Sequence, residues 1–258
     1  MDRSLWTQTL TKTWCPAWPC PVCRKGTLAL VQRSLIHKET VGSKNAQDHE
    51  AWDPEWIRYT FTAWAVCRHP SCKQQFAIAG TGGVGPELTE EGYEYDDYFS
   101  PMTCLPMPDM LAFPAKCPDE VEEELRAAFA LFWSQPGACT GRIRVALECL
   151  MDHLGVPKRR KNMNGKYFDL SLHARIDAFA KSEPTTGPQL MALKWLGNTG
   201  SHNSKVNQKD VLDAFEIMEH ALGEIIERRS TRFAKLAKEL TKKHSRKRRK
   251  RSNSGLPF

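Results

Sequence analysis

Apolar and polar positions alternate, imperfectly, in two early segments, residues 27–34 (TLALVQRS) and 56–66 (WIRYTFTAWAV). Both are rich in β-branched and aromatic residues, and this period of two predicts strands. From Pro118 onward the period becomes helical. Val121, Leu125, Phe129 and Phe132 share one stripe of a first helix, which has Pro118 near its first position and acids in its first turn. A second helix over about 140–154 turns Ile143, Leu147, Leu150 and Leu154 inward and stops at Gly155 and Pro157. After a basic, glycine-containing loop (PKRRKNMNGK), a short third helix groups Leu172, Ile176 and Phe179. A fourth begins at Pro188 with Leu190, Leu193 and Leu196, and ends in the segment GNTGSHN. The fifth and longest starts near Asn207 and stripes Val211, Leu212, Phe215, Met218, Leu222, Ile225 and Ile226. Five such helices predict a bundle.

Between the two patterns, residues 80–117 hold a Gly-rich run (GTGGVG), an acidic tyrosine-bearing stretch (ELTEEGYEYDDY) and closely spaced prolines, which predicts an extended connector. Gly80, Gly82 and Gly85 fit G-x-G-x-x-G, but Pro86 follows where a dinucleotide site needs a helix. The expected class is therefore α+β: a β-rich module over 1–79, the connector, a helical bundle over 118–240 and a basic tail over 241–258, disordered when free.

Composition changes this picture in three places. With 41% apolar residues the chain can bury a core, and no apolar run reaches the ~20 residues of a membrane span. The N-terminus lacks a secretory apolar segment, so the expected setting is the reducing cytoplasm, without membrane attachment. The net charge of +7 is concentrated at one end: residues 228–258 carry thirteen Lys/Arg against Glu239 alone, which leaves the rest of the chain net acidic. Lys242, Lys243, Arg246, Lys247, Arg248, Arg249, Lys250 and Arg251 form a polycation whose expected partner is nucleic acid, RNA or DNA, bound without sequence preference. Six of the eight tryptophans precede residue 65, as bulk for a small β core or as a base-stacking surface.

The nine cysteines include two short-spaced pairs, Cys20-Pro-Val-Cys23 and Cys67-Arg-His-Pro-Ser-Cys72, each in a Pro-containing turn beside a predicted strand. Two such knuckles give a tetrahedral four-thiolate set, so Cys20, Cys23, Cys67 and Cys72 are the expected ligands of a structural Zn²⁺ in a zinc ribbon. Cys15, spaced C-x4-C from Cys20, and His69 compete for a place in that set. A catalytic zinc would need a signature such as H-E-x-x-H, which is absent. Cys104, Cys117, Cys139 and Cys149 lack paired spacing and read as ordinary buried thiols.

The run Gly197-Asn198-Thr199-Gly200-Ser201-His202, followed by Asp210-Val211-Leu212, resembles the bacterial family catalogued as domain of unknown function 4145, and Arg142-Ile-Arg144-Val-Ala-Leu-Glu148 resembles that family's second-helix motif. The cysteine pairs resemble the zinc-ribbon extension of many members. The resemblance covers roughly residues 100–227 plus the ribbon and leaves the tail outside. It implies a HEPN-like all-α domain, a homodimer, and a setting in phage defence or mobile-element biology. Ribonuclease members of that superfamily carry R-x4-6-H. Aligned on Asn198 and His202, the arginine position falls on Gly197.

Metal-independent RNA cleavage needs a proton-transfer group and a cation for the charge on phosphate. His202, with Asn198 and Arg144, is the candidate catalytic set, and Arg142 or Arg175 are other sources of the cation. The plainer readings are a structural His202, a helix-terminating Asn198 beside Gly197, and an i,i+4 pair between Arg144 and Glu148. The leading expectation is a zinc-containing nucleic-acid-binding protein. A metal-independent endoribonuclease and a protein–protein adaptor are the alternatives.

Overall fold

In the computed structural model, which describes residues 1–89, 92–202 and 206–252 (the side chains of 88–89, 200–202 and 246–252 excepted), a β module precedes a helical one. The first 27 residues are irregular apart from a one-turn helix α1 (Ser4–Thr7). Then come β1 (Leu28–Leu30), β2 (Ile36–Glu39), a short α2 (Val41–Ala46), a 3-10 turn at Pro54–Trp56, and three long strands, β3 (Arg58–Cys67), β4 (Gln75–Thr89) and β5 (Gly92–Leu105). They form one antiparallel sheet in the order β1-β3-β4-β5, with β2 paired to the other half of the edge of β3 that β1 occupies. Leu10 pairs with Phe99, so the N-terminal segment lies along β5.

β3 follows its sequence pattern, burying Phe61, Ala63, Ala65 and Cys67 and turning Thr60, Thr62 and Trp64 outward. β4 and β5 do not, and here the structure corrects the sequence reading. Residues 80–89 and 92–105 are not a connector but the second half of β4 and the whole of β5, and the connector shrinks to 106–117. β4 does not alternate cleanly because Gly80 and Gly82 sit where β3 and β5 leave no room for a side chain. A Cβ on Gly80 would lie 2.8 Å from the Phe61 ring, and one on Gly82 2.9 Å from the Phe99 ring. The two glycines thus leave room for the packed rings of Phe61 and Phe99 and for the facing carbonyls of Ser100 and Tyr98. Pro101 sits on an outer strand, opposite Gly80 at a register shift in the ladder, where a missing N–H is tolerated. Of the six early tryptophans, Trp6 and Trp18 supply core bulk, whereas Trp14, Trp52, Trp56 and Trp64 are exposed.

The helical module holds α3 (Asp119–Leu131), α4 (Pro136–His153), a hairpin of β6 (Arg159–Lys161) and β7 (Tyr167–Asp169), α5 (Leu172–Ala180), α6 (Gly187–His202), α7 (Gln208–Glu227) and α8 (Arg229–Ser252). The predicted stripes are the buried ones: Val121, Leu125, Phe129 and Phe132, then Ile143, Leu147 and Leu150, and from α7 Val211, Leu212, Phe215, Met218, Leu222 and Ile225. Asn207 caps α7 in a reciprocal box with Asp210. α6 does not break at Gly197-Asn198 but runs on to His202. α8 reaches Ser252, so the backbone is helical through most of the segment expected to be disordered when free. That helix buries no face: every described side chain from 229 to 245 is exposed.

Tryptophans join the modules. Trp18 of the N-terminal segment packs on Trp133, after α3, at 5.2 Å between centroids, and Trp6 lies 6.1 Å from Trp133. The Trp133 Nε1–H donates to the carbonyl of Trp6 at 3.2 Å. Ion pairs ring this contact: Arg24 with Glu122 (2.9 Å), Arg126 with Asp109 (3.0 Å), and Arg3 with Asp213 (2.6 Å) and with Glu216. Trp133→Ala removes the only ring that the helical module adds to this trio; the expected cost is about 3–5 kcal/mol, read as a lowered midpoint in thermal or urea unfolding.

Candidate functional site

Each half of the molecule carries one constellation of interest. In the β module the N-terminal knuckle and the β3–β4 turn bring Cys20, Cys23, Cys67 and Cys72 together, their four sulfurs within 4.8 Å of one another. Cys20 Sγ lies 3.8 Å from Cys72 Sγ, and Cys23 Sγ lies 3.7 Å from Cys67 Sγ. These separations exclude disulfides, whose sulfurs lie ~2.05 Å apart. A tetrahedron of ~2.3 Å metal–sulfur bonds has edges of about 3.8 Å, so the donor set fits one Zn²⁺-sized soft ion.

Backbone donors support the sulfurs: Gly26 N–H points to Cys23 Sγ and His69 N–H to Cys67 Sγ, both at 3.4 Å. The N–H groups of Lys25 and Gly26 bring the Cys23 thiol down to about 6, while burial pushes Cys67 up to about 12. Cys15 and His69 stand outside the set. Cys104 and Cys139 are buried, with thiols raised to about 12 by burial, and Cys117 and Cys149 are half-buried. Gly26, not singled out by the sequence reading, has no room for a side chain, since a Cβ would lie 2.6 Å from Cys67 Sγ. Its place three residues after Cys23 was the available signal.

In the helical module, Arg144 of α4 donates from Nη1 to Asn198 Oδ1 on α6 and from Nε to Glu148 at 3.4 Å. The i,i+4 pair therefore exists, but the same guanidinium also reaches across to Asn198, which is a mid-helix residue rather than a helix terminator. Gly197 makes the approach possible: a Cβ there would lie 2.9 Å from Arg144 Cβ and 3.1 Å from the Thr140 carbonyl. An arginine at 197 has no space, and the cation beside Asn198 comes from α4 instead. The side chain of His202 lies outside the described residues.

Arg144 and Glu148 continue into a groove of about 380 Å³ that also takes in Asp152, Lys158 and Arg175. Arg175, buried on α5, donates to Asp152 at 2.6 Å and to the Val156 carbonyl at 3.0 Å, and Lys158 lies 2.8 Å from Asp152. Burial works against the Asp152 carboxylate, but Lys158 and Arg175 outweigh it and hold the group below the ordinary carboxylate range. Arg142 is engaged elsewhere, with Glu124 at 3.1 Å. On α8, Lys242 and Lys243 are exposed. The side chains of Arg246, Lys247, Arg248, Arg249, Lys250 and Arg251 lie outside the described residues.

Residues 126–250 match the family model described as domain of unknown function (DUF4145). Residues 8–103 match a second one, described as domain of unknown function (DUF8608). No curated protein and no solved structure matches the chain. The DUF8608 match takes in the four-cysteine cluster and nearly all of the sheet. The DUF4145 match begins within α3, includes Arg144, Asn198 and His202, and extends to residue 250, so it takes in most of α8, which the resemblance drawn from sequence had left outside. No helix among the described residues is long and apolar enough to cross a membrane.

Two outcomes follow from this geometry. Cys23→Ser, or a strong chelator, removes about one equivalent of metal per chain by elemental analysis and lowers the melting temperature, while the far-ultraviolet helical signal persists below the new midpoint. Gly197→Arg, which restores the arginine of the ribonuclease motif, forces α4 and α6 apart; it destabilises the protein by about 1–3 kcal/mol in urea unfolding.

Proposed function

We propose that this is a zinc-stapled nucleic-acid-binding protein in which a HEPN-like bundle presents α8 to a polyanion. The observation that carries this reading is α8 itself. It has twelve Lys/Arg against one acid over its 24 residues, no buried face among its described side chains, and a setting in a chain that is otherwise net acidic. A helix of this length extends ~36 Å, and a continuous basic helix fits the ~12 Å major groove or lies along phosphates. The four-thiolate cluster has the structural role: it is a closed donor set whose ion, Zn²⁺ in this reading, holds the small β module together. A setting in antiphage or mobile-element biology rests on the family resemblance alone.

A second reading, metal-independent RNA cleavage, is favoured by one observation: Arg144 supplies a guanidinium at Asn198, four residues before His202. In that chemistry His202 would move a proton and Arg144 would offset charge on the phosphate.

One experiment tests both. Fluorescently labelled RNA and duplex DNA are titrated with the purified full chain and with a chain lacking residues 241–258, over a salt series, and RNA integrity is followed in EDTA. Removing the tail is expected to weaken binding at least 10-fold near 0.15 M salt and to flatten the log–log salt slope. Unchanged affinity and slope would overturn the α8 reading. Cleavage by the wild type that is lost in both His202→Ala and Arg144→Ala would establish the second reading, and intact RNA would exclude it.

A further inference from the structure

The connection between α4 and α5 spans 18 residues, where bundle helices are commonly joined by about 2–8. The sequence reading treats its centre as a basic loop; the structure makes it the β6–β7 hairpin. Asn162 closes the turn, its carboxamide oxygen accepting from the N–H groups of Asn164 and Lys166 at 3.0 Å, and Gly165 adopts φ +76°. Residues 157–169 are exposed on both faces, so the ribbon has no core of its own, a poor structural element by itself.

What the ribbon carries is chemistry. Over 157–169 there are five cations, Lys158, Arg159, Arg160, Lys161 and Lys166, against Asp169 alone. Asp169 is taken by Arg159 at 2.6 Å and Lys158 by Asp152 at 2.8 Å. Arg160, Lys161 and Lys166 have no carboxylate partner among the described residues. Tyr167 and Phe168 are 66% and 45% exposed and, being consecutive in a strand, project to opposite faces. Each has a cation directly across the ladder, Lys161 opposite Tyr167 and Arg160 opposite Phe168. At the root of the ribbon lies the groove of Arg144, Lys158 and Arg175. Arg175 is only 5% exposed, and its Nε has no hydrogen-bond partner among the described residues.

We propose that the β6–β7 hairpin is a second nucleic-acid interface, one that grips a single strand: Arg160, Lys161 and Lys166 on phosphates, Tyr167 and Phe168 on the faces of unpaired bases. Charge complementarity selects a polyanion, and paired, exposed aromatics beside cations select unstacked bases over a closed duplex. The groove at the root carries the strand toward Arg144 and Asn198. The interface shares its ligand class with the α8 reading but uses none of the same residues.

The test uses the full chain and 20-nucleotide fluorescent oligomers, single-stranded RNA, single-stranded DNA and a duplex, in anisotropy titrations over a salt series. Three variants are compared with wild type: Tyr167→Ala/Phe168→Ala, Arg160→Gln/Lys161→Gln/Lys166→Gln, and replacement of the six cations at 246–251 by Gln. The aromatic variant is expected to lose single-strand affinity on the order of 10-fold with its salt slope and duplex affinity unchanged. The hairpin charge variant flattens the single-strand slope by about 2, from ~0.7 per phosphate contact. The substituted hairpin side chains are exposed, and an unchanged melting temperature verifies the fold of every variant. Ultraviolet cross-linking of a uridine-rich strand to wild type, mapped by mass spectrometry, places the adduct within residues 158–168. The proposal is overturned if the aromatic variant binds single strands as tightly as wild type, if duplex and single-strand affinities fall together, or if the adduct maps elsewhere. Loss of binding in the hairpin variants alone would defeat the α8 reading and leave this one standing; loss in the 246–251 variant alone would do the reverse.

Discussion

The convergence of four sulfurs is the constraint on which the rest of the molecule hangs. The first 27 residues contain almost no regular structure, yet they supply Trp6, Leu10 and Trp18 to the core and Arg24 to the contact with α3. The Leu10–Phe99 backbone pair and the ion pairs of Met1, Arg3, Lys12 and Arg24 also hold this segment in place. Cys20 and Cys23 tie this segment to Cys67 and Cys72 at the β3–β4 turn, and so fix the two buried tryptophans that meet Trp133. A metal ion there would add to the stability of this β module, because the unfolded chain has no comparable site.

Glycines set the other distances that matter. Gly26 lets the knuckle close over Cys67, Gly80 and Gly82 admit the rings that fill the sheet, and Gly197 lets α6 settle on α4. The last has a chemical consequence. Gly197 gives up a side chain for helix–helix contact, and the guanidinium at Asn198 arrives from the facing helix α4.

Charge is distributed with the same economy. Asp109, Glu122, Arg126, Asp152 and Arg175 are all in ion pairs, whereas Arg160, Lys161 and Lys166 on the hairpin and Arg232, Lys235, Lys238, Lys242 and Lys243 on α8 are exposed and have no carboxylate partner among the described residues. Elements that cost conformational entropy without burying apolar surface gain stability from neither packing nor hydrogen bonding beyond their own. Their positive charge is what distinguishes them, and in the proposed reading a polyanion offsets that cost.

The sequence by itself determined what depends on near neighbours. Helical stripes in α3, α4 and α7, the start of α7 near Asn207, the alternation of β3, the two cysteine pairs and the concentration of charge at one end are all written within a few residues of one another, where periodicity and spacing are sufficient. Only the tertiary structure decided what depends on a partner far along the chain. The second half of β4 carries no alternation because Gly80 and Gly82 are fitted to the rings of Phe61 and Phe99 and to the facing carbonyls of Ser100 and Tyr98. Cys15 and His69 could be separated from the ligand set only by the path of the chain. Glycine beside Asn198 signals a helix end locally, whereas α6 runs through both residues, packs on α4 at Gly197 and has Asn198 accepting from Arg144. Pattern records which face of an element must be buried; which element covers it, and at what distance, is settled when backbones approach as closely as their smallest side chains allow.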